Sequence, residues 1–397
     1  MKKIIEKLDD FGRGITYVNN KITFIPKCIK GDEVDFIITE EKKKYFLGKL
    51  NKIIKKDSEH IDSKCPFYQD CGGCCLQNLE YEKTIEFKKH KIENLLKRNK
   101  IEFNNITITK NPSPYNYRNK ITLKIKDGII GFYEEGSHKI VSINHCLLAK
   151  AEINKVIELL PFLNIINGEI TIRCNYKNEI LLIITTKEEV KIPKVLIELI
   201  NIVGIILNDK VVYKKSSFID KINDIYYEVS FDSFFQVNPF VTSLLLNKIK
   251  ANLENSSMVY DLYCGVGTIS LDIASKCKKV IGIEVVKNAV INAAKNKTLN
   301  NISNAEFILK DLSSGVKEDF IPDTVIVDPP RSGIDKKTIL WLKNIKPQKI
   351  IYVSCDPNTL VRDLKILDEY NIKSLDLFDM FSYTYHVECV ILLQRKD

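Results

Sequence analysis

The sequence predicts an α/β protein whose C-terminal part is a doubly wound parallel sheet, preceded by a small OB-like β-barrel and a β-rich middle. Three observations carry this. From about residue 240 apolar strands and helical stretches alternate, the βαβ signature. Before residue 57 short runs of alternating polarity are separated by turn signals. Between the two lie a cysteine-rich stretch and further short β-runs. The chain of 397 residues holds two or three domains of ordinary size, and the partition expected is 1–56, 57–233 and 234–397.

In the first part the runs Ile15–Val18, Ile22–Ile25, Val34–Ile38 and Tyr45–Leu50 are strands, with Asn19-Asn20 and Gly31-Asp32 as turns. Small barrels of this kind often bind RNA on one face. Residues 77–100 form an amphipathic helix with Leu79, Ile85, Ile92, Leu95 and Leu96 on one side and Lys88, Lys89, Lys91, Lys97 and Arg98 on the other, the basic side reading as solvated more than as a ligand contact. This helix is a candidate to pack on the C-terminal domain. Ile121–Ile125, Ile129–Phe132, Ile170–Cys174 and Glu179–Thr185 read as strands of a mostly antiparallel middle domain, with one helix at Lys150–Leu160. The parallel strands expected are Met258–Leu262, Val280–Ile283, Asp323–Val327 and Lys349–Val353.

Charge is distributed unevenly. Residues 1–150 hold 29 Lys and Arg against 20 Asp and Glu, whereas residues 151–397 hold 31 of each, so the net +9 sits in the first part. That favours a polyanion held by the N-terminal modules and chemistry done elsewhere. No stretch reaches the roughly 18 apolar residues of a membrane span, and acidic residues precede any signal-peptide-like run. A cytoplasmic, monomeric protein is expected. Its 11 cysteines then point to metal binding or catalysis before disulfides.

Cys65-x5-Cys71-x2-Cys74 places three thiols in ten residues, and Gly72-Gly73 lets the loop wrap. A fourth ligand must come from further along, and Cys146 is the best candidate. Four thiolates suit an iron–sulfur cluster or a structural zinc, and the x5 spacing is wide for zinc. Cys75 adjoins, but neighbouring cysteines rarely ligate one centre, and His145 reads as a packing residue. The first parallel strand runs into Asp261-Leu262-Tyr263-Cys264-Gly265-Val266-Gly267-Thr268, and Glu284 ends the next strand nineteen residues after Gly265. Glycines at the carboxyl end of a strand let backbone approach a ligand, and a carboxylate there accepts hydrogen bonds from ribose. A dinucleotide loop would want a third glycine where Ser270 stands. Asp328-Pro329-Pro330 suits S-adenosylmethionine better.

After the fourth strand comes Ser354-Cys355-Asp356-Pro357, and near the C-terminus His386-Val387-Glu388. With Phe234-Phe235-Gln236-Val237-Asn238, the glycine loop and Asp328-Pro329-Pro330-Arg331, all in order, the chain resembles the RNA uracil-5 methyltransferase family over nearly its whole length. The N-terminal segment resembles a TRAM domain, with a shortened first strand. Cys65, Cys71, Cys74 and Cys146 resemble the [4Fe–4S] ligands of the 23S ribosomal RNA branch, as does Tyr117-Arg118-Asn119-Lys120.

The resemblance implies a Rossmann-like class I methyltransferase domain, a central iron–sulfur domain, S-adenosylmethionine as methyl donor, and 23S ribosomal RNA as substrate, with transfer RNA the alternative. It implies Cys355 as nucleophile and Glu388 as base. It places Gln236, Tyr263, Glu284, Asp311 and Asp328 at the cofactor or target base, and Thr268 joins them as a neighbour of the loop. Ser382 stands where the family has proline. A thiolate suits the reaction because it is strongly nucleophilic and also leaves. The target base must leave its stack to reach it. The competing classes are a dinucleotide-dependent iron–sulfur oxidoreductase and a non-catalytic RNA-binding protein.

Overall fold

The computed structural model describes residues 1–254, 256–312 and 321–396. The first six strands are Lys2–Ile4, Lys7–Leu8, Gly14–Val18, Lys21–Ile25, Glu33–Glu41 and Tyr45–Lys55, and they form one sheet in the spatial order 1-5-6-4-3-2. Asn19 and Asn20, both at positive φ, make the two-residue turn that joins Val18 to Lys21. The pairing of the two longest strands shifts register three times. Such bulges increase twist and let a sheet curl, here around Ile5, Val18, Ile25, Val34 and Phe36.

A second sheet of seven strands covers residues 120–214 and buries Ile121, Leu123, Ile170, Ile172, Leu182 and Ile205 against the helix Ala151–Leu159. It is mostly antiparallel; one parallel pair, Ile180–Thr185 with Ile202–Leu207, interrupts the pattern.

The third sheet positions the site. Its eight strands run, edge to edge, Ala305–Leu309, Lys279–Glu284, Met258–Leu262, Thr324–Val327, Lys349–Ser354, Glu388–Arg395, Tyr370–Phe378 and Ile106–Thr109. The first five are parallel, and Glu388–Arg395 enters antiparallel beside Lys349–Ser354. This is the strand order of class I methyltransferases with one strand added at the edge. Two apolar layers cover its faces, one with Leu262, Val327, Ile350 and Tyr352, the other with Val259, Ile326, Ile351 and Val353.

The topology cuts across the partition expected from sequence. The helix Tyr81–Arg98 buries Ile92, Leu95 and Leu96 in the core of the third sheet, and Ile106–Thr109 pairs parallel with Tyr370–Phe378. The hairpin Ser217–Ile222 and Ile225–Ser230 packs Phe218, Tyr227 and Val229 on the same sheet's other face. Segments 81–109 and 217–230 therefore belong structurally to the C-terminal layer. Among the described residues no helix is long and apolar enough to cross a membrane.

Candidate active site

The carboxyl edge of the parallel strands gathers the motifs. Tyr263–Gly267 follows Met258–Leu262, Glu284 ends Lys279–Glu284, Asp328 follows Thr324–Val327, and Cys355 follows Lys349–Ser354. Glu388 opens the antiparallel strand at the same edge. The register does the decisive work. Ser354 pairs with Cys389 as the last pair of the antiparallel ladder, and Cys355 and Glu388 are the residues next to that pair, so both lie at the same end of it.

The charges around this pair agree with proximity. Burial, then Glu388 and Asp328, push the Cys355 thiol up to about 11, while Arg331 opposes them. Burial and the neighbouring Asp328 push Glu388 up to about 8, again against Arg331. Burial pushes Asp328 up to about 7. Two carboxyls and a thiol thus share one partly dry pocket with one exposed guanidinium beside them. His386, stacked on Tyr385 at 4.1 Å between ring centres, falls to about 4 through burial and the cations Arg331, Lys91, Lys88 and Arg118.

Supporting contacts fix these loops. Asp356 caps the helix Pro357–Ile366 by accepting from the N–H groups of Asn358 and Thr359. Buried Asp363 accepts from the N–H of Ile334 at 2.9 Å and from the Tyr352 hydroxyl at 2.8 Å, holding the turn that follows Arg331.

The glycine loop is shaped for a ligand. Gly267 has φ +83°, and a Cβ there would meet the Phe307 ring at 2.8 Å. Gly265 has φ +56° with nothing within 4 Å of a would-be Cβ, so the space above it is open. Glu284 accepts from the N–H of Gly265 at 3.0 Å and from Val285 and Val286 at 2.8 and 2.9 Å, which fixes the carboxylate against the loop. Ser270 donates to buried Asp261, whose other carboxyl oxygen has no hydrogen-bond partner among the described residues; burial pushes this carboxyl up to about 7. The residue in place of a third glycine therefore ties the helix start to the strand end. Tyr263, at φ +64°, turns its hydroxyl onto Asp335 at 3.2 Å. Thr268 begins the following helix, and its carbonyl accepts from the Tyr227 hydroxyl. Asp311 lies exposed beyond Ala305–Leu309.

Gln236 sits in a loop clamped from two sides. Asn119 donates its side-chain amide to the Gln236 carbonyl at 3.1 Å and its N–H to the Val237 carbonyl at 3.0 Å, and Asn238 donates to the Met380 carbonyl at 3.1 Å. The Tyr117–Lys120 stretch therefore braces the Gln236 loop.

Cys65, Cys71, Cys74 and Cys146 line one small cavity with Phe67, Phe132, Ile143 and Leu148. Burial raises the thiols of Cys65 and Cys71, and that of Cys74 to about 12. Cys75 turns away into the cluster of Ile29, Leu76 and Leu79. Among the described residues no three His, Cys, Asp or Glu side chains converge as on a single metal ion. Lys27, buried, reaches across from the N-terminal sheet to the Cys71 and Cys74 carbonyls.

Lys88 departs from the sequence reading. It does not sit on a solvated basic face but is fully buried, ion-paired with the equally buried Asp379, and it donates to the Phe381 carbonyl at 2.9 Å. Tyr81 and Ser382 complete the Asp379 carboxylate at 2.6 Å each. A signal existed: Lys88 lies three residues after Ile85 and four before Ile92, within the apolar stripe.

Comparison with known proteins agrees with this geometry. The family described as tRNA (uracil-5-)-methyltransferase matches residues 120–396, and the TRAM domain matches residues 4–50. A protein of Clostridium acetobutylicum named an uncharacterized RNA methyltransferase is 35% identical, over 98% of this chain and 96% of its own length. One from Bacillus cereus is 33% identical, over 99% and 96%. The crystal structure of the Pyrococcus abyssi tRNA (uracil-54, C5)-methyltransferase with S-adenosyl-L-homocysteine superposes with a TM-score of 0.83 at 28% identity, covering 99% of this chain and 100% of that one. A class I sheet carrying these motifs at its carboxyl edge behind a TRAM domain, matched nearly end to end by RNA methyltransferases, makes this chain a member of the S-adenosylmethionine-dependent RNA uracil-5 methyltransferase family.

Proposed function

We propose that the protein methylates carbon 5 of a uracil in 23S ribosomal RNA through a covalent adduct with Cys355. The observation that carries this is that Cys355 and Glu388 flank the last ladder pair, Ser354 with Cys389, at the carboxyl edge, where the Glu388 charge acts on the Cys355 thiol. The Cys355 thiolate adds to carbon 6 of the uracil, which makes carbon 5 nucleophilic. S-adenosylmethionine, when bound, supplies the electrophilic methyl group. Glu388 then takes the proton from carbon 5, and the C6–S bond breaks to release thiolate and 5-methyluracil. Tyr263, Thr268, Glu284 and Asp311 would hold the methyl donor around the open space over Gly265, and Gln236 and Asp328 would hold the target base or the donor.

The four-thiol cavity supports a [4Fe–4S] cluster at Cys65, Cys71, Cys74 and Cys146. The four cysteines line one cavity, and four thiol sulfurs are the donor set that would hold such a cluster. Methyl transfer needs no electrons, so such a cluster would shape the fold.

A second reading, transfer RNA as substrate, is supported by the full-length likeness to the Pyrococcus transfer-RNA enzyme. The test is transfer from labelled S-adenosylmethionine to unmodified 23S ribosomal RNA and to unmodified transfer RNA, with Cys355→Ala as control and nucleoside analysis of both products. 5-Methyluridine in the ribosomal RNA alone, absent with the variant, is the expected result. Label only in transfer RNA overturns the substrate, and label in neither overturns the reaction.

A further inference from the structure

The N-terminal sheet reaches the mouth of the active site through one loop. Asp9 organises that loop: one carboxyl oxygen accepts from the N–H groups of Phe11 at 2.9 Å and Arg13 at 2.8 Å, and the other accepts from Arg13 Nε at 2.8 Å. Gly12, at φ +79°, seats the loop against Leu76, where a Cβ would meet a methyl carbon at 2.8 Å. The loop is thus held by its own backbone and by Asp9, and the Phe11 ring is left 49% exposed.

That ring stands 5.1 Å from Tyr385 in an edge-to-face arrangement, and Tyr385 stands 4.1 Å from His386. His386 lies two residues before Glu388. The three rings therefore run from the N-terminal sheet to the segment that leads into Glu388. Cations accompany them: Arg13 lies 5.3 Å from the Phe11 ring and 4.4 Å from that of Phe24, and Lys91 lies 5.0 Å from the Tyr385 ring. Arg331 acts on both Tyr385 and Cys355. Packing between two modules would explain a buried ring. It does not explain a half-exposed one on a preorganised turn, set in a row of aromatics with positive charge alongside. That combination is how proteins hold single-stranded RNA, through stacking on rings and attraction of the backbone.

We infer that Phe11, Tyr385 and His386 form a stacking platform for the RNA bases adjoining the target uracil, with Arg13 and Lys91 steadying the intervening phosphates. The TRAM domain on this inference supplies one wall of the active site. The inference rests on the reading of RNA as substrate and deepens it.

The test compares Phe11→Leu, which keeps an apolar side chain without a ring, with Phe11→Tyr, which keeps the ring. Affinity for fluorescently labelled, unmodified transfer RNA and 23S ribosomal RNA fragments is measured by anisotropy, alongside KM and kcat for methyl transfer. S-adenosylmethionine affinity reports whether the catalytic domain is folded. The expected result is RNA binding weakened about tenfold or more in Phe11→Leu, a matching rise in KM rather than a fall in kcat, and most of the affinity retained in Phe11→Tyr. Unchanged RNA affinity in Phe11→Leu, an equal loss in Phe11→Tyr, or a fall in kcat with KM unchanged would overturn the platform. If RNA binding depends on the Phe11 ring but the wild-type protein forms no 5-methyluridine, the platform stands and the proposed reaction fails.

Discussion

At Cys355 and Glu388 the surroundings oppose the charged forms that chemistry requires. Burial and two neighbouring carboxyls hold the thiol protonated at neutral pH, and burial holds Glu388 near 8. Protonation of Glu388 removes one negative neighbour from Cys355, which eases thiolate formation; the later proton abstraction needs the carboxylate. Turnover should therefore rise with pH through about 8, by roughly tenfold per pH unit below that point. Steady-state kcat measured across pH checks this, and a rate that falls between pH 6 and 8 would contradict it. Glu388→Gln should abolish turnover and leave a methylated RNA–protein adduct that survives denaturing electrophoresis, because the C6–S bond cannot break until carbon 5 loses its proton. The residue types and their order were legible in the sequence. Their raised protonation constants were not, because they arise from burial in the folded chain and then from Asp328 after a neighbouring strand, with Arg331 opposing.

The helix Tyr81–Arg98 acts as a brace for the segment that leads into Glu388. Its Lys88 closes on Asp379 and on the Phe381 carbonyl, and its Lys91 donates to the Tyr385 carbonyl at 3.1 Å. The cysteine loop grips the same segment, since the N–H groups of Cys75 and Leu76 both donate to the Tyr383 carbonyl at 3.1 Å. Tyr383 holds φ +60°, a conformation a bulky residue adopts only when its surroundings impose it. Lys88→Met leaves the Asp379 carboxylate buried without its cation and should cost about 3–5 kcal/mol. The double variant Lys88→Met, Asp379→Leu should recover much of that in urea unfolding, and equal losses in the single and double variants would show that the pair is not the cause. The amphipathic pattern announced the helix. Its burial on the C-terminal sheet was left open by the pattern, since an apolar stripe does not name the surface that covers it.

At the scale of the molecule, the cysteine cavity lies where segments of the N-terminal, middle and C-terminal parts meet. Lys27 comes to it from the N-terminal sheet, Cys146 from the middle segment, and Tyr383 from the C-terminal sheet, where its ring stacks 4.9 Å from Tyr115. A group bound by the four thiols would therefore hold all three together. Cys74→Ser, purified without oxygen, should lack the broad visible absorption of an iron–sulfur cluster. It should also lose about 2 kcal/mol of stability, about 2–3 °C in Tm for a protein of this size. An unchanged spectrum and melting curve would remove the cluster from the account. The net positive charge of residues 1–150 fits the proposed division of labour, in which the N-terminal part would hold RNA and the C-terminal edge would transfer the methyl group.

The sequence by itself determined the class of fold, the parallel strands Met258–Leu262, Lys279–Glu284, Thr324–Val327 and Lys349–Ser354 to within a residue or two, and the chemistry-bearing loops that end them. Those features are written in short-range periodicity and in turns a few residues long. The tertiary structure decided what long-range pairing decides: that Glu388 and Cys355 meet at one end of a ladder, that Ile106–Thr109 extends the C-terminal sheet, that Lys88 meets Asp379, and that Phe11 reaches Tyr385. Each joins residues tens to hundreds of positions apart. Their meeting depends on strand register and on how two modules dock, and neither leaves a periodic trace in the chain.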